Sequence, residues 1–276
     1  MKKNKKYGEP MMSIDLHSHI LPGIDDGARD METSLEMLKI AERDGIRHIV
    51  ATPHFIKGEV ENPAQVVLEK CEQLKQEINR ENIKVDIYPG SEVYMTPEIP
   101  ELLKEGRICT LNGSSYVLVE LPMTAIPIYA AEVFYRLKLN GFEPILAHPE
   151  RNREIAGNPN ILFNFIQSGV LAQINAASLM GFYGSEVKNA AWTLLKHGMV
   201  HFAASDSHTC RGRAPRLSMP RSLVAEKMGE DTAQRLFELN GLAVLNNERI
   251  DFQEPSMVKK RKSFSIPILS KLFRKK

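Results

Sequence analysis

Cysteine is scarce in this sequence: Cys71, Cys109 and Cys210 are the only three among 276 residues. An odd number at wide spacing excludes the disulfide framework that staples small secreted domains. Long apolar runs are missing too, and none approaches the ~20 residues needed to span a bilayer. The basic start, Met1 to Lys6, is not followed by the apolar stretch of a signal peptide. Before residue 256 there is no repeat, no low-complexity region and no glycine-rich phosphate loop. Together these absences predict a cytoplasmic protein.

Charge of one sign is also short in the body of the chain. The overall net charge is +2, but residues 1–12 carry four lysines and one acid, and residues 259–276 carry eight Lys or Arg and no acid. The remainder holds 24 basic and 33 acidic residues, a net of −9. An acidic body argues against extended nucleic-acid contact, which needs clustered cations. With 43% hydrophobic and 25% charged residues the chain has a soluble globular composition. The predicted organisation is a basic extension over 1–12, one domain over 13–256 and a basic tail over 257–276.

Within 13–256, short apolar runs alternate with longer amphipathic ones. Strands are predicted at Ile14–His17, His48–Phe55, near Val85–Val93, and at Tyr116–Leu121, Pro144–His148, Leu171–Asn175 and Val200–Ala204. Helices are predicted over Met31–Asp44, Asn62–Arg80, Ile126–Asn140, Asn160–Ser168, Ser185–His197, Arg221–Met228 and Thr232–Leu239. About seven β-then-α units without an internal boundary favour a single α/β barrel over an open sheet.

Chemistry in such barrels sits where strands end and loops begin. The strand ends here are unusually polar. The first gives His17-x-His19 followed by Asp25-Asp26-Gly27, and the second gives Thr52-Pro53-His54. Then come Gly90-Ser91-Glu92, Glu120, His148-Pro149 and, at the last strand, Asp206-x-His208. Two histidines at i and i+2 on a strand point to one side, so both can reach one ion. Imidazole and carboxylate donors without cysteine suit Zn, Mn or Fe. His48, His197 and His201 fall outside these strand ends and read as packing or surface residues.

The segment Asp15-Leu-His-Ser-His19-Ile-Leu-Pro-Gly-Ile-Asp-Asp-Gly27 resembles the first motif of the polymerase-and-histidinol-phosphatase (PHP) superfamily of metal-dependent phosphoesterases. More narrowly, it is similar to the bacterial PHP-type protein-tyrosine phosphatases that accompany capsule and exopolysaccharide tyrosine kinases. The similarity continues through Ala51–Phe55, Gly90–Glu92, Leu118–Leu121, Ala147–Arg151 and Ser205–His208, and covers about residues 13–250. It implies a distorted (β/α)7 TIM-like barrel with the metal site at the C-terminal ends of the strands. It also implies up to three metal ions, manganese above all, with Zn or Fe as alternatives. Carried over by position, the ligands are His17, His19, Asp26, His54, Glu92, Glu120, His148, Asp206 and His208. Asp25 and Asp26 compete for one place, and Asp26 is preferred because it directly precedes Gly27 as in the family. Arg151 and Arg213 are implied as phosphate clamps, a role that suits a planar guanidinium fork.

The implied reaction is hydrolysis of phosphotyrosine by a metal-bound hydroxide, on a protein such as a bacterial tyrosine kinase controlling capsule or exopolysaccharide synthesis. Tyrosinate, with a phenol pKa of ~10, leaves without a strong general acid. Two alternatives stay open: a phosphoesterase for a small ester such as histidinol phosphate, and a non-catalytic metal-bearing protein that binds the kinase. A separate pattern, Cys210 to Arg216, fits the C-x5-R phosphate loop of cysteine-dependent phosphatases but lacks its preceding histidine. Phe55, Met123, Ile126 and Tyr129 are candidates to border the tyrosine ring. In the tail, Pro267 opens a short segment with Ile268, Leu269, Leu272 and Phe273 on one face and basic residues elsewhere. That segment suits peripheral contact with an anionic membrane, against the competing reading of a solvated or packed tail.

Overall fold

Every strand lies parallel to its neighbours. A computed structural model describes residues 12–250 and 254–259. Its strands are β1 (Ser13–Ser18), β2 (Ile46–Ala51), β3 (His54–Phe55), β4 (Asp86–Pro89), β5 (Glu92–Tyr94), β6 (Tyr116–Glu120), β7 (Glu143–Ala147), β8 (Leu171–Asn175) and β9 (Phe202–Ala204). They form a three-stranded sheet, β1-β2-β4, and a six-stranded one, β3-β5-β6-β7-β8-β9. Because β2 runs into β3 and β4 into β5, the two sheets share two continuous chain segments, and seven strand positions follow one another round a circuit.

The circuit closes between β1 and the end of β9, through separate bonds rather than a regular ladder. Asp206 N donates to His17 O at 2.9 Å, and His19 N donates to Ser207 O at 2.8 Å. Asp15 reinforces the seam: its carboxylate accepts from Ser205 N at 2.8 Å and from the Ser205 hydroxyl. Two parallel sheets joined in this irregular way agree with the α/β barrel that the βα pattern predicts and with the distortion that the family resemblance implies. Helices cover its outside, as the burial of strands on both faces requires.

Strand parity sorts the core into two layers. Tyr116 and Leu118 of β6, Ile145 and Ala147 of β7 and Leu171 of β8 join Ile14, Leu16, Val50 and Phe202 in an inner cluster. Their alternates, Val117, Val119, Leu146, Ala172 and Ile174, pack outward against the helices. On β6 and β8 the inner row turns polar toward the strand end, to Glu120 and to Gln173 and Asn175. One end of the barrel is thus plugged with hydrocarbon and the other lined with ligating groups.

Two predicted strands are each divided in two. Pro53 lacks an N–H and interrupts His48–Phe55, and the Thr52 hydroxyl fills the gap by accepting from Ser18 N at 3.1 Å. Val85–Val93 breaks at Gly90-Ser91, where a Cβ on Gly90 would lie 2.8 Å from Val50 Cγ1 and 2.9 Å from Leu111 Cδ2. Each break sits just before a site residue, His54 or Glu92, and redirects the chain so that this residue faces the barrel's polar end. Helix Met31–Asp44 matches its predicted bounds, capped by Asp30, which accepts from Thr33 N at 2.8 Å. The next helix starts at Ala64 rather than Asn62, because Asn62 instead donates its side-chain amide to Ile24 O and His54 O. Thr232–Leu239 belongs to a longer helical run, Glu230 to Leu245, with a π turn over Arg235–Leu239. The short helices Ile99–Lys104 and Ala176–Met180 escape periodicity because each covers fewer than two turns. The tail segment from Pro267 lies outside the described residues.

Removing the seam's acceptor strands two buried donors of Ser205. Asp15→Ala is expected to destabilise the metal-free protein by about 2–4 kcal/mol, read from urea unfolding in the presence of chelator. Unchanged stability would show that the seam is held elsewhere.

Candidate metal centre

The residues singled out at the strand ends converge on one carboxylate. Glu92, at the start of β5, is 1% exposed. Its Oε2 lies 3.2 Å from His17 Nε2, 3.2 Å from His19 Nε2 and 3.1 Å from His54 Nδ1. Its Oε1 lies 3.0 Å from His148 Nε2, which also faces Glu120 Oε1 at 3.6 Å. His208 Nε2 and His54 Nε2 stand 3.3 and 3.5 Å from Asp26 Oδ1. Three overlapping groups bring their ligand atoms within 4.8 Å of one another: His19, Asp26, His54 and His208; His17, His19 and Glu92; and His54, Glu92 and Glu120. Asp206 borders them, with Oδ1 3.4 Å from His17 Nε2.

Two features fit these groups to metal ions rather than to an ordinary polar core. Glu92 Oε2 and His54 Nδ1 are buried and make no hydrogen bond of acceptable geometry, although they face each other. Buried polar atoms are seldom left so. In addition, the rear ring nitrogens are tied down. His17 Nδ1 pairs with Gln173 Oε1 at 2.8 Å, His19 Nδ1 with Asp25 Oδ2 at 2.8 Å, and His208 Nδ1 with Asp206 O at 3.1 Å. Such bonds fix the tautomer and leave Nε2 facing the centre, as metal-binding imidazoles require.

The two adjacent aspartates therefore do different things. Asp26 faces His54 and His208, whereas Asp25 turns behind His19 and also accepts from Gly27 N and His54 N. The loop that carries them folds back on His19, and a Cβ on Gly27 would fall 2.0 Å from His19 O. Only glycine fits there. His148 and Asp206 adopt left-handed backbone angles, φ 31° and 51°. For non-glycine residues such angles mark local strain, here concentrated at the site.

The electrostatics follow from crowding. Burial alone would push the Glu92 carboxyl up, but the surrounding histidines, His17 first, hold it well below the usual carboxylate range. Burial opposes charge on His19, yet its bond to Asp25 and the close Glu92 carboxylate lift it well above a free imidazole. His17 and His54 move up for the same reason, burial being outweighed by Glu92. Glu120 is raised by burial and by the charge on Glu92.

At the rim, Arg151 Nη1 donates to Asp206 Oδ2 at 3.0 Å and Arg213 Nη2 to Asp206 Oδ1 at 2.7 Å. Asn175 Nδ2 adds a third bond to Oδ2 at 2.6 Å. Arg151 also lies over the Tyr183 ring, 4.7 Å from its centroid. Arg213 Nε is buried without a hydrogen-bond partner. Sequence reasoning missed Asp25's orienting position, Gln173, Asn175 and Tyr183. Gln173 and Asn175 were legible in principle, as alternate polar residues on a strand otherwise apolar.

Cys210 does not build a phosphate loop. Its thiol points at Thr33 O, 3.6 Å away, and burial raises its pKa, so it is held as the unreactive thiol. Phe55 is buried in the core rather than bordering the site, and Ile126 and Tyr129 pack against that core.

A family model described as "Capsular polysaccharide synthesis, CpsB/CapC" matches residues 13–246. The chain is 38% identical over 251 residues to tyrosine-protein phosphatase YwqE of Bacillus subtilis (strain 168), spanning 91% of this chain and 98% of that protein. It is 30% identical over 242 residues to tyrosine-protein phosphatase CpsB of Streptococcus agalactiae serotype III, spanning 86% and 100%. The fold superposes with a TM-score of 0.87 on a crystal structure from work on YwqE of Bacillus subtilis and CpsB of Streptococcus pneumoniae, described as unique metal-dependent tyrosine phosphatases. That match has 37% identity and covers 90% of this chain and 100% of the other. A β-aspartyl dipeptidase of Fervidobacterium islandicum shares the fold alone, at 13% identity and a TM-score of 0.55.

Asp25→Asn is expected to lower metal affinity by about 10–100-fold while leaving the fold intact, measured by competition titration against a chelating dye. Retained affinity would remove Asp25 from any orienting role. A second expectation concerns pH. In the metal-free protein the raised values of His17, His19 and His54 stabilise the fold fully below about pH 6.5, the unfolded value. That stabilisation is lost as the pH climbs through the raised folded values. Glu92, Asp25 and Asp26 shift down, so their contribution is present above about pH 4 and fades as the pH falls through their depressed values. Metal must displace the imidazole protons. Uptake near neutral pH should release protons, and affinity should weaken on acidification, both read by calorimetry in buffers of differing ionisation enthalpy. Uptake without proton release would contradict the protonated cluster.

Proposed function

The chain belongs to the CpsB/CapC capsular polysaccharide synthesis family, and from that membership we propose how it works as a metal-dependent protein-tyrosine phosphatase. The observation that carries the reading is the Glu92 nest of imidazoles and carboxylates, with two arginines side by side on Asp206 at its rim. His17, His19, Asp26, His54, Glu92, Glu120, His148, Asp206 and His208 are proposed as the residues that would hold the metal, with Glu92 central among them. All-imidazole and carboxylate donors suit manganese, with Zn or Fe as alternatives.

When bound, the metal supplies a water acidified into the neutral range and positive charge opposite the phosphoryl oxygens. The chain's own residues position the ester. A phosphate monoester is a dianion, and its transfer depends on charge neutralisation and orientation more than on covalent chemistry. Arg151 and Arg213 are the clamps, their planar forks matched to phosphate oxygens. The unpartnered, buried Nε of Arg213 supports this role because it is a donor without an acceptor. Asp206 holds both guanidinium groups in register before substrate arrives. No side chain is required as a strong acid, since the phenol leaving group has a pKa of ~10.

The substrate is proposed to be a phosphotyrosine-bearing protein, specifically a bacterial tyrosine kinase that governs capsule or exopolysaccharide synthesis. A cytoplasmic setting goes with this reading, and the three cysteines, all free thiols, support it. Among the described residues no helix is long and apolar enough to cross a membrane. Peripheral membrane contact through the tail is part of the proposal.

The decisive test pairs two treatments. Chelation is expected to lower turnover of a phosphotyrosyl peptide by more than about 100-fold, with manganese restoring it, while Cys210→Ser runs near the wild-type rate. A chelator-resistant enzyme inactivated by Cys210→Ser would overturn the mechanism. Faster turnover of histidinol phosphate than of any phosphotyrosyl peptide would overturn the substrate.

A further inference from the structure

A cavity of about 440 Å³, walled by Arg43, Arg211 and Arg216 and by Met180, Phe182 and Met219, is lined by the chain neighbours of Tyr183 and Arg213. We propose that this groove binds the acidic, apolar-bearing stretch of polypeptide that flanks the phosphotyrosine, and so selects protein substrates; the inference rests on the phosphatase reading above.

Position is the first argument. Arg211 stands two residues before Arg213, a span of at most ~7 Å along the chain. Phe182 precedes Tyr183, whose ring carries Arg151, and packs edge-on against it with centroids 5.0 Å apart. Gly212 closes on Phe182, a Cβ there falling 3.5 Å from Phe182 Cζ. Both walls of the groove therefore continue directly from the two phosphate clamps. An extended peptide advances ~3.3 Å per residue, so a side chain about two to four residues from the phosphotyrosine reaches the groove.

Charge is the second argument. Three arginines line the cavity against one acid, Asp44. That acid is already engaged, accepting from Leu217 N at 2.6 Å, Ser218 N at 2.8 Å and the Ser218 hydroxyl at 2.6 Å. Arg43 has only a long, exposed contact with Glu36, at 3.5 Å. Arg211 and Arg216 are exposed and have no ion-pair partner among the described residues. Unpaired cations on a body of net −9 mark this face as a place for anionic groups.

Apolar exposure is the third. Met180 is 38% exposed, Phe182 53% and Met219 66%, all on this one groove. Adaptable methionines beside an aromatic ring suit a range of apolar side chains. Cations with apolar surface fit a peptide that carries Asp or Glu next to Leu, Val or an aromatic residue.

The experiment compares three phosphotyrosyl peptides of equal length with manganese present: acidic and apolar flanks, Ser/Gly flanks, and lysine flanks. For the wild type, KM for the acidic peptide should be about fivefold below that for the Ser/Gly peptide, with kcat little changed and the advantage fading at high salt. The double variant Arg211→Glu/Arg216→Glu should lose that preference and favour the lysine peptide, while kinetics on para-nitrophenyl phosphate stay at wild type. Met219→Ser should raise KM for the acidic peptide alone. Equal KM for all peptides, or equal loss on para-nitrophenyl phosphate, overturns the inference. So does a double variant that changes binding to anionic vesicles but not peptide kinetics. Anisotropy of the labelled peptides separates this from failure of the phosphatase reading. Preferential binding of the acidic peptide without hydrolysis of any phosphotyrosine sinks only the latter.

Discussion

A carboxylate taken out of water must be given a compensating environment, and Glu92 is the point where this protein meets that requirement. Desolvation of one carboxylate costs several kcal/mol even after relaxation. Here that cost is offset by three imidazole nitrogens within 3.2 Å of Oε2 and a fourth ring at 3.0 Å from Oε1. His17 and His54 are in turn lifted toward protonation by the same carboxylate, and His19 by Asp25 together with it. Protons and divalent ions would thus be alternative solutions to one electrostatic problem, which is why the proposed metal site competes with protonation of His17, His19 and His54. The barrel exists around this point. Strands β1, β5, β6 and β7 each carry or adjoin a member of the cluster, and the chain breaks at Pro53 and Gly90 aim His54 and Glu92 into it.

Asp206 shows how a second constraint rests on the first. Its backbone lies in the left-handed region, its Oδ1 faces His17, and its carboxylate also receives Arg151, Arg213 and Asn175. One anion therefore spans the cluster around Glu92 and the two arginines at its rim. In the proposed reading an arriving phosphate would compete with Asp206 for the guanidinium groups, which are aligned beforehand but not free. The pairing aligns both guanidinium groups on one carboxylate. It also ties clamp geometry to strain at residue 206.

Much of this was legible in the sequence, and the remainder was hidden for identifiable physical reasons. Strand ends rich in His, Asp and Glu are visible because a parallel barrel concentrates polar residues at one end of otherwise apolar strands, as Leu118-Val119-Glu120 does. Helix Met31–Asp44 was bounded by a capping aspartate and a terminal glycine, local signals that survive folding. The break in the third strand position was not legible, since it depends on what Val50 and Leu111 place against Gly90, whereas the break in the second follows from Pro53, which the sequence shows. Asp25 and Asp26 are chemically identical neighbours. Only the fold of the loop over His19 gives one the imidazole's rear and the other its open side. Tyr183 reaches the site from a turn between two helices that carries no pattern of its own.

The segment from Cys210 to Arg216 illustrates why a motif acquires meaning only from its frame. Read as C-x5-R it suggests a thiolate cradled by amides. In the fold, His208 N and Thr209 N both donate to Arg213 O, at 2.9 and 3.2 Å, and this tight turn swings the Arg213 side chain toward Asp206. The cysteine is turned the other way, onto Thr33 O. The turn that denies the thiol a phosphate delivers an arginine to the metal side of the loop and leaves Arg211 and Arg216 on the outer side. Chain connectivity alone then lets the loop serve two surfaces at once in the proposed reading: its inner residue would address the phosphoryl group, and its outer residues the polypeptide that carries it.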